Sequence, residues 1–451
     1  MPTDRPRILV VSHDVVGDAM AGPGLRYLAL ARTLAAHVAV TFAIPNPPVA
    51  RLSAEGFPVV AYRRNDWPTL EPLARASDAI LLNTDLATDF PALADLPAAL
   101  ILDAYDPMLS EGLAMVAAHP LDQQIGWWRE RMNNLRAQWR MGDFYLCASE
   151  RQRDWCLGQL ESAGRINPLT IAEDPALRGL VDVVASGLDP QPPEAARPVL
   201  RGVWPGIGAR DRIVLWGGGL WPWLDPLTAI RAFARVAAVR DDVRLVFPGT
   251  RHPNPAVAGA PTHAEAARAL AVELGLADRV VLFGDWVPYA DWPAVLLESD
   301  LALSLHRETY ETRLAFRSRT LGYIWASVPT LATAGDETAA VIARYGLGEA
   351  VPEADPDALA AAILRWLEVP RASLAGAFAR AQADYAWPRV AAPLIRYCLA
   401  PRKAADRRAG LQLDATSAEP ALRAENARLR ETVSGYERGR FIRFMRWLRQ
   451  R

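Results

Sequence analysis

"RVVLFGDWVPYADWPAVLLESDLALSLHRETYETRLAFRSRTLGYIWASVPTLAT" runs from Arg279 to Thr333. Its apolar runs "VVLF", "LALSL" and "TLAT" have the length of buried strands and are too short for helices. The stretch between the first two, "DWPAVLLES", reads as a helix. Strand, helix and strand in alternation, with near-continuous apolar strands, predict a parallel sheet covered on both faces. Directly after "LALSL" lie Arg307, Arg313, Arg317 and Arg319, with Glu308 and Glu311. Cations this dense beyond a buried strand either occupy a wet helix face or converge on an anion. Arg313, Arg317 and Arg319 are spaced four and two apart, so they cannot all share one face of a regular helix.

The same alternation extends in both directions. Upstream, "ILVVS", "VAVTFAI", "PVVAY", "AILLN", "ALILDA", "FYLCAS" and "VDVVAS" read as strands, with Tyr27, Leu30, Ala31 and Leu34 at helical spacing between the first two. The proline-rich "GLDPQPPEAARPVLRGVWPG" (187–206) reads as a linker. The pattern then restarts with "RIVLWGGG" and "VRLVFPG". The expected fold class is therefore α/β, with two Rossmann-like, doubly wound parallel-sheet domains facing a cleft. The expected boundaries are 1–200 and 201–385, followed by a returning helix at 386–400, a polar linker at 401–420 and a helical tail at 421–451.

Composition narrows the function classes. Of 451 residues 51% are hydrophobic, and the formal net charge is −1, which argues against a nucleic-acid partner. Cys147, Cys156 and Cys398 are scattered, fitting neither a disulfide framework nor a metal site. The first residues, "MPTDRPRILVVSH", hold no signal-peptide core, and no apolar run is long enough for a bilayer, so a cytoplasmic location is expected. Lys403 is the single lysine, which excludes a P-loop lysine.

In sheets of this kind ligands bind beyond the carboxyl ends of the strands. After the first strand, Gly22, Pro23 and Gly24 lead into a helix that carries Arg26. Glycines allow close approach of a ligand, and helix-start amides favour anions; the other reading is an ordinary tight connection. After "ALILDA" come Asp103 and Asp106. A carboxylate there can orient a sugar hydroxyl or take its proton, although Asp106 before Pro107 also suits a turn or cap. After "RIVLW", Gly217, Gly218 and Gly219 free the backbone beside the cleft, with Trp221 and Trp223 able to stack on a base or sugar. Arg251 and His252 follow "VRLVFPG" and are either surface residues or cleft residues.

Residues 280–333, with "FGDWVPYADWPAVLLESDLALSL" and "WASVPTLAT", resemble the donor domain of GT-B glycosyltransferases of family 4. "ADYAWPRVAAPLI" is similar to that family's helix crossing back to the first domain, and the likeness extends over about residues 7–397. The resemblance implies that the arginine-rich segment holds a nucleotide sugar. Glu311 matches the family's first acidic residue, which touches the transferred sugar. Arg313, Arg317 and Arg319 are then placed for the diphosphate, with Trp286 and Val287 in the donor site. The family's second glutamate falls at Gly322, and its usual cations after the domain's first strand are replaced by "GGGLW" and "LDP". The resemblance also implies a retaining reaction. With arginines neutralising the diphosphate and no DxD motif that suggests a metal site, no cofactor and no metal is expected.

In the tail, Leu422, Asn426, Leu429, Val433 and Tyr436 form a brief heptad pattern that points to a homodimer. Phe441, Phe444, Met445 and Leu448 share one helix face, with Arg443, Arg446 and Arg449 opposite it or at its edge, as in helices that lie on anionic membranes. The expected activity is transfer of a sugar from a nucleotide diphosphate to a saccharide, lipid-linked acceptor, at the inner face of the cell membrane. The alternatives are a GT-B nucleotide-sugar epimerase and a degenerate GT-B scaffold subunit of a polysaccharide assembly complex.

Overall fold

The computed structural model describes residues 5–255, 257, 259–411, 425, 426, 428, 429 and 432. Residues 1–405 form one compact unit and residues 406–451 a second. In the second unit Glu425, Asn426, Arg428, Leu429 and Thr432 are helical. Most of the heptad pattern and all of the basic amphipathic segment lie outside the described residues.

The first unit is built on two sheets. Strands β1 (Arg7–Val11), β2 (Ala39–Ile44), β3 (Val59–Ala61), β4 (Ala79–Asn83), β5 (Ala99–Asp103), β6 (Phe144–Cys147) and β7 (Val181–Val183) form the first, in the order β3-β2-β1-β4-β5-β6-β7. Strands β8 (Arg212–Leu215), β9 (Val243–Phe247), β10 (Val281–Phe283), β11 (Leu301–Ser304), β12 (Thr330–Thr333) and β13 (Gly348–Val351) form the second, in the order β10-β9-β8-β11-β12-β13. Every pairing is parallel; Val11 lies opposite Leu82, and Leu215 opposite Ala302. β4, β5, β6, β11 and β12 are buried along their whole length, which is why they read as unbroken apolar runs. β13, "GEAV", has no such run and was not legible in the sequence.

Strand order reverses beside β1 and beside β8, so each lobe opens a crevice at the carboxyl ends of those strands. The chain passes between the lobes twice, side by side: Leu188 N–H donates to Tyr385 O at 2.9 Å, and Trp387 N–H to Leu188 O at 3.0 Å. The single returning helix expected from the sequence is two, Trp387–Val390 and Ala392–Leu399, because Pro393 opens the second. Leu394, Tyr397 and Cys398 then pack in the core of the first lobe, with Tyr397 stacked on Phe144 at 4.5 Å.

Candidate active site

The second lobe contributes the glycine loop after β8. Gly217 N–H donates to the Tyr323 hydroxyl at 2.7 Å, and a Cβ at Gly217 would lie 2.8 Å from that oxygen, so a side chain there is excluded. Gly218 has φ +87°, the left-handed region that glycine adopts freely. Arg319 lies against this loop. Its guanidinium carbon is 3.6 Å from where a Gly218 Cβ would be and 5.8 Å from the centre of the Trp216 ring. Nη2 reaches Gly219 O only at 3.4 Å, and the buried Nη1 has no hydrogen-bond partner. Burial pushes this guanidinium down to about 10. An interior cation without a carboxylate is costly, and an arriving anion removes that cost.

The arginine-rich segment is broken in two. Thr309 caps a short helix, Tyr310–Leu314, by accepting from Thr312 N–H. The chain then extends through Ala315 and Arg317 before a second helix, Ser318–Trp325. The break sorts the three arginines. Arg313 is exposed. Arg317 is buried and bidentate to Glu311, at 2.6 and 2.7 Å, with Asp336 at 3.5 Å on the other side. Burial opposes its charge, but Glu311 and Asp336 outweigh that and hold it protonated. Arg319 alone presents an unspent charge to the glycine loop. Of the three arginines expected near the diphosphate, Arg319 is the one that lies against the glycine loop, in keeping with a spacing that forbids one shared face.

The first lobe supplies the opposite wall. The helix Gly22–Ala35 starts against the helix Ser318–Trp325: a Cβ on Gly22 would sit 3.2 Å from Ser318 Oγ. Neither helix has a side-chain cap, so the unbonded amides of both first turns border the same gap. Gly24 is needed for a different reason, since its own Cβ would collide with the Val15 carbonyl.

Arg26 turns inward, away from the gap. It binds Asp103 at 2.7 and 2.9 Å and Val184 O at 2.9 Å, under the Tyr105 ring at 4.6 Å. Asp103 and Arg26 thus neutralise each other beneath the loop. Asp106 is half-buried, and its carboxyl is pushed up to about 7 by burial, with Asp103 and Glu311 adding to the shift. Glu111, one helical turn further on, is raised well above the ordinary range by burial and by Asp106 and Glu311. Sequence reasoning passed over Glu111, although it sits in the same "YDPMLSE" segment as Asp106.

At the outer end, His252 lies between Trp221, 5.5 Å away, and Trp286, 5.7 Å away, and Trp221 is stacked on Trp223 at 5.6 Å. Val287 beside them is buried in the second lobe, whereas Arg251 is exposed. The lobes are pinned around this crevice. Asn254 donates to Asp14 at 2.6 Å, Gln152 to Leu314 O at 2.6 Å, Arg151 to Gly335 O at 2.8 Å, and Tyr289 N–H to Asp18 O at 2.8 Å. Among the described residues, no three His, Cys, Asp or Glu side chains are grouped to hold a metal ion.

Residues 211–369 match the family model described as "Glycosyl transferases group 1". No curated protein matches this chain in sequence. Among solved structures, HepE from Anabaena, in complex with UDP and glucose, superposes with a TM-score of 0.60 at 14% identity, over 87% of this chain and 98% of its own. Sucrose-phosphate synthase from Thermosynechococcus elongatus gives 0.61 at 16% identity, over 87% and 98%. WaaG, a glycosyltransferase involved in lipopolysaccharide biosynthesis, gives 0.56 at 16% identity, over 86% and 99%. At these identities the superpositions speak for the fold, and the family match speaks for the activity. The second lobe thus matches glycosyl transferases group 1, and the two-lobed fold around it is the one seen in HepE, sucrose-phosphate synthase and WaaG.

Proposed function

We propose that the enzyme moves a sugar from a nucleoside-diphosphate donor to a saccharide acceptor that is lipid-linked, in the assembly of a cell-surface glycan. The second lobe holds the donor and the first lobe the acceptor. The observation that carries this reading is the unpaired Arg319 guanidinium against Gly217–Gly219, beside the uncapped start of the helix Ser318–Trp325. As the anomeric C–O bond breaks, negative charge grows on the leaving diphosphate, and preorganised N–H groups and a cation stabilise it. Arg319 and the amides at Gly22 and Ser318 fill that part in this reading, with no metal required. Trp221, His252 and Trp286 are the platform for the base. Retention of anomeric configuration follows the family resemblance. HepE has been solved with UDP-glucose, and WaaG serves lipopolysaccharide synthesis, which supports the donor class and a glycan product.

A cytoplasmic enzyme peripheral to the inner face of the membrane, held and dimerised through its tail, completes the reading. A catalytically degenerate scaffold is the second reading, favoured by the Glu311 carboxylate being spent on Arg317. Incubation with a panel of nucleoside-diphosphate sugars, with and without lipid-linked saccharide acceptors, decides between them. Donor-dependent glycosylation supports transfer; diphosphate binding without turnover favours the scaffold; free epimerised sugar without acceptor indicates an epimerase.

A further inference from the structure

The helix Glu150–Ser162 follows β6, and its first turn reaches across to the second lobe. Its opening, "SERQ" (149–152), has the spacing of a capping box, in which the fourth side chain turns back to the backbone N–H of the first residue. Only half of that box forms. Ser149 Oγ accepts from Gln152 N–H at 3.1 Å, but the Gln152 side chain is engaged elsewhere. Its Oε1 accepts from Ala148 N–H at 2.6 Å, and its Nε2 donates to Tyr105 O at 2.8 Å and to Leu314 O at 2.6 Å. The reverse amide orientation would set an oxygen against two carbonyl oxygens, so the assignment is fixed by its partners. Both amide hydrogens and the amide oxygen are used at once, in a side chain only 2% exposed.

The two carbonyls belong to opposite walls of the crevice. Tyr105 precedes Asp106 in the first-lobe loop after β5. Leu314 closes the short helix Tyr310–Leu314 of the second lobe, three residues beyond Glu311 and just before the extended break that leads to Arg317. Arg151, on the same turn as Gln152, donates to Arg313 O at 3.1 Å and to Gly335 O at 2.8 Å. Gly335 in turn precedes Asp336, which lies 3.5 Å from Arg317 and 3.4 Å from His306. One helical turn of the first lobe thus holds the backbone on both sides of the buried Glu311, Arg317 and Asp336. Among the described residues, the carbonyls of Arg313, Leu314 and Gly335 receive no other hydrogen bond. When the lobes part, all three lose their donors together. A contact made only with the lobes together favours that state and links whatever lies on its two sides.

We propose that Gln152 is a positioning residue that makes the placement of Glu311 conditional on closure of the two lobes. Through Tyr105 and Leu314 it also sets the register between the acceptor loop and the donor-side acid. This second part rests on the proposed function, in which Glu311 faces the transferred sugar and the loop at Asp106 faces the acceptor.

The test compares the full-length chain with Gln152→Met and Gln152→Glu. Methionine keeps the length of the side chain and removes all three hydrogen bonds. Glutamate keeps the acceptor for Ala148 N–H and removes both donations. Hydrogen exchange read by mass spectrometry should quicken roughly fivefold across 309–320 in both variants, the effect of a lost hydrogen bond on local opening, while β6 stays as slow as in the parent. In transfer assays kcat should fall about tenfold to a hundredfold, with the donor KM little changed, because the glycine loop and Arg319 lie outside this contact. Unchanged exchange across 309–320 overturns the proposal, as does a quickening shared by β6, which would mark general loosening. A glutamate variant that behaves as the parent assigns the role to the Ala148 bond and likewise overturns it. Faster exchange with full kcat overturns the register between acceptor loop and acid. A parent that transfers no sugar defeats the transferase reading instead, and the exchange comparison still decides the link to closure.

Discussion

Arg317 and Glu311 lie six residues apart and grip each other through two hydrogen bonds of 2.6 and 2.7 Å, buried at the junction of two short helices. The acid that the family pattern assigns to the sugar is thereby also a structural partner, so its removal acts on stability as well as on chemistry. Glu311→Ala should abolish transfer and lower unfolding stability by about 3–5 kcal/mol, the usual cost of stranding half of a buried pair. Denaturant melts decide this. A variant as stable as the parent shows that Asp336 alone can hold Arg317.

Arg319 should respond in the opposite sense. It has no carboxylate to lose, so Arg319→Gln should leave the ligand-free protein as stable as the parent or more so. A charge-assisted hydrogen bond is worth roughly 1.5–3 kcal/mol, so nucleoside-diphosphate affinity should fall about tenfold to a hundredfold. Nucleoside affinity should hardly change. Calorimetric titration with both ligands reads the difference, and equal losses for the two would remove Arg319 from the diphosphate.

The Asp106 carboxyl gives stability a pH dependence of predictable sign. Unfolded, it releases its proton near 3.8; folded, it keeps it to about 7. Between those values the folded state binds the extra proton, so this group's contribution to stability is present at low pH and is lost as pH rises from about 4 to about 7. The shift at Glu111 has the same sign. Asp106→Asn should flatten the fall across this window in urea titrations. Parallel curves for variant and parent would mean that the carboxyl titrates normally.

Gly22 tests the approach of the two lobes. Gly22→Ala places its Cβ 3.2 Å from Ser318 Oγ, a tight fit that a small shift relieves. Gly22→Leu cannot be accommodated without moving the helix starts apart. Turnover should drop on the order of tenfold to a hundredfold for leucine, as expected when catalytic groups are displaced by about an ångström, and little for alanine. Unchanged turnover of the leucine variant would place the reacting groups away from this junction.

Much of this site was visible in the linear sequence. The glycine loop after "RIVLW", the Gly-Pro-Gly start at Gly22, and the acids after "ALILDA" all follow strands, and strand ends point to one edge of a parallel sheet. Which arginine carries free charge was not visible. Arg313, Arg317 and Arg319 are chemically alike in sequence, and only the extended break at Ala315 aims them in different directions. Arg26 and Asp103 likewise read as two separate cleft residues, because nothing local shows that residues 77 positions apart cancel each other.

The sequence by itself determined the two parallel sheets, since buried parallel strands must be apolar on both faces and so announce themselves as short hydrophobic runs. Tertiary structure alone decided which charges are spent and which are free, and where the two uncapped helix starts meet. Those outcomes depend on pairings between residues far apart in the chain, and a charge or an apolar face acquires its role only from what packs against it.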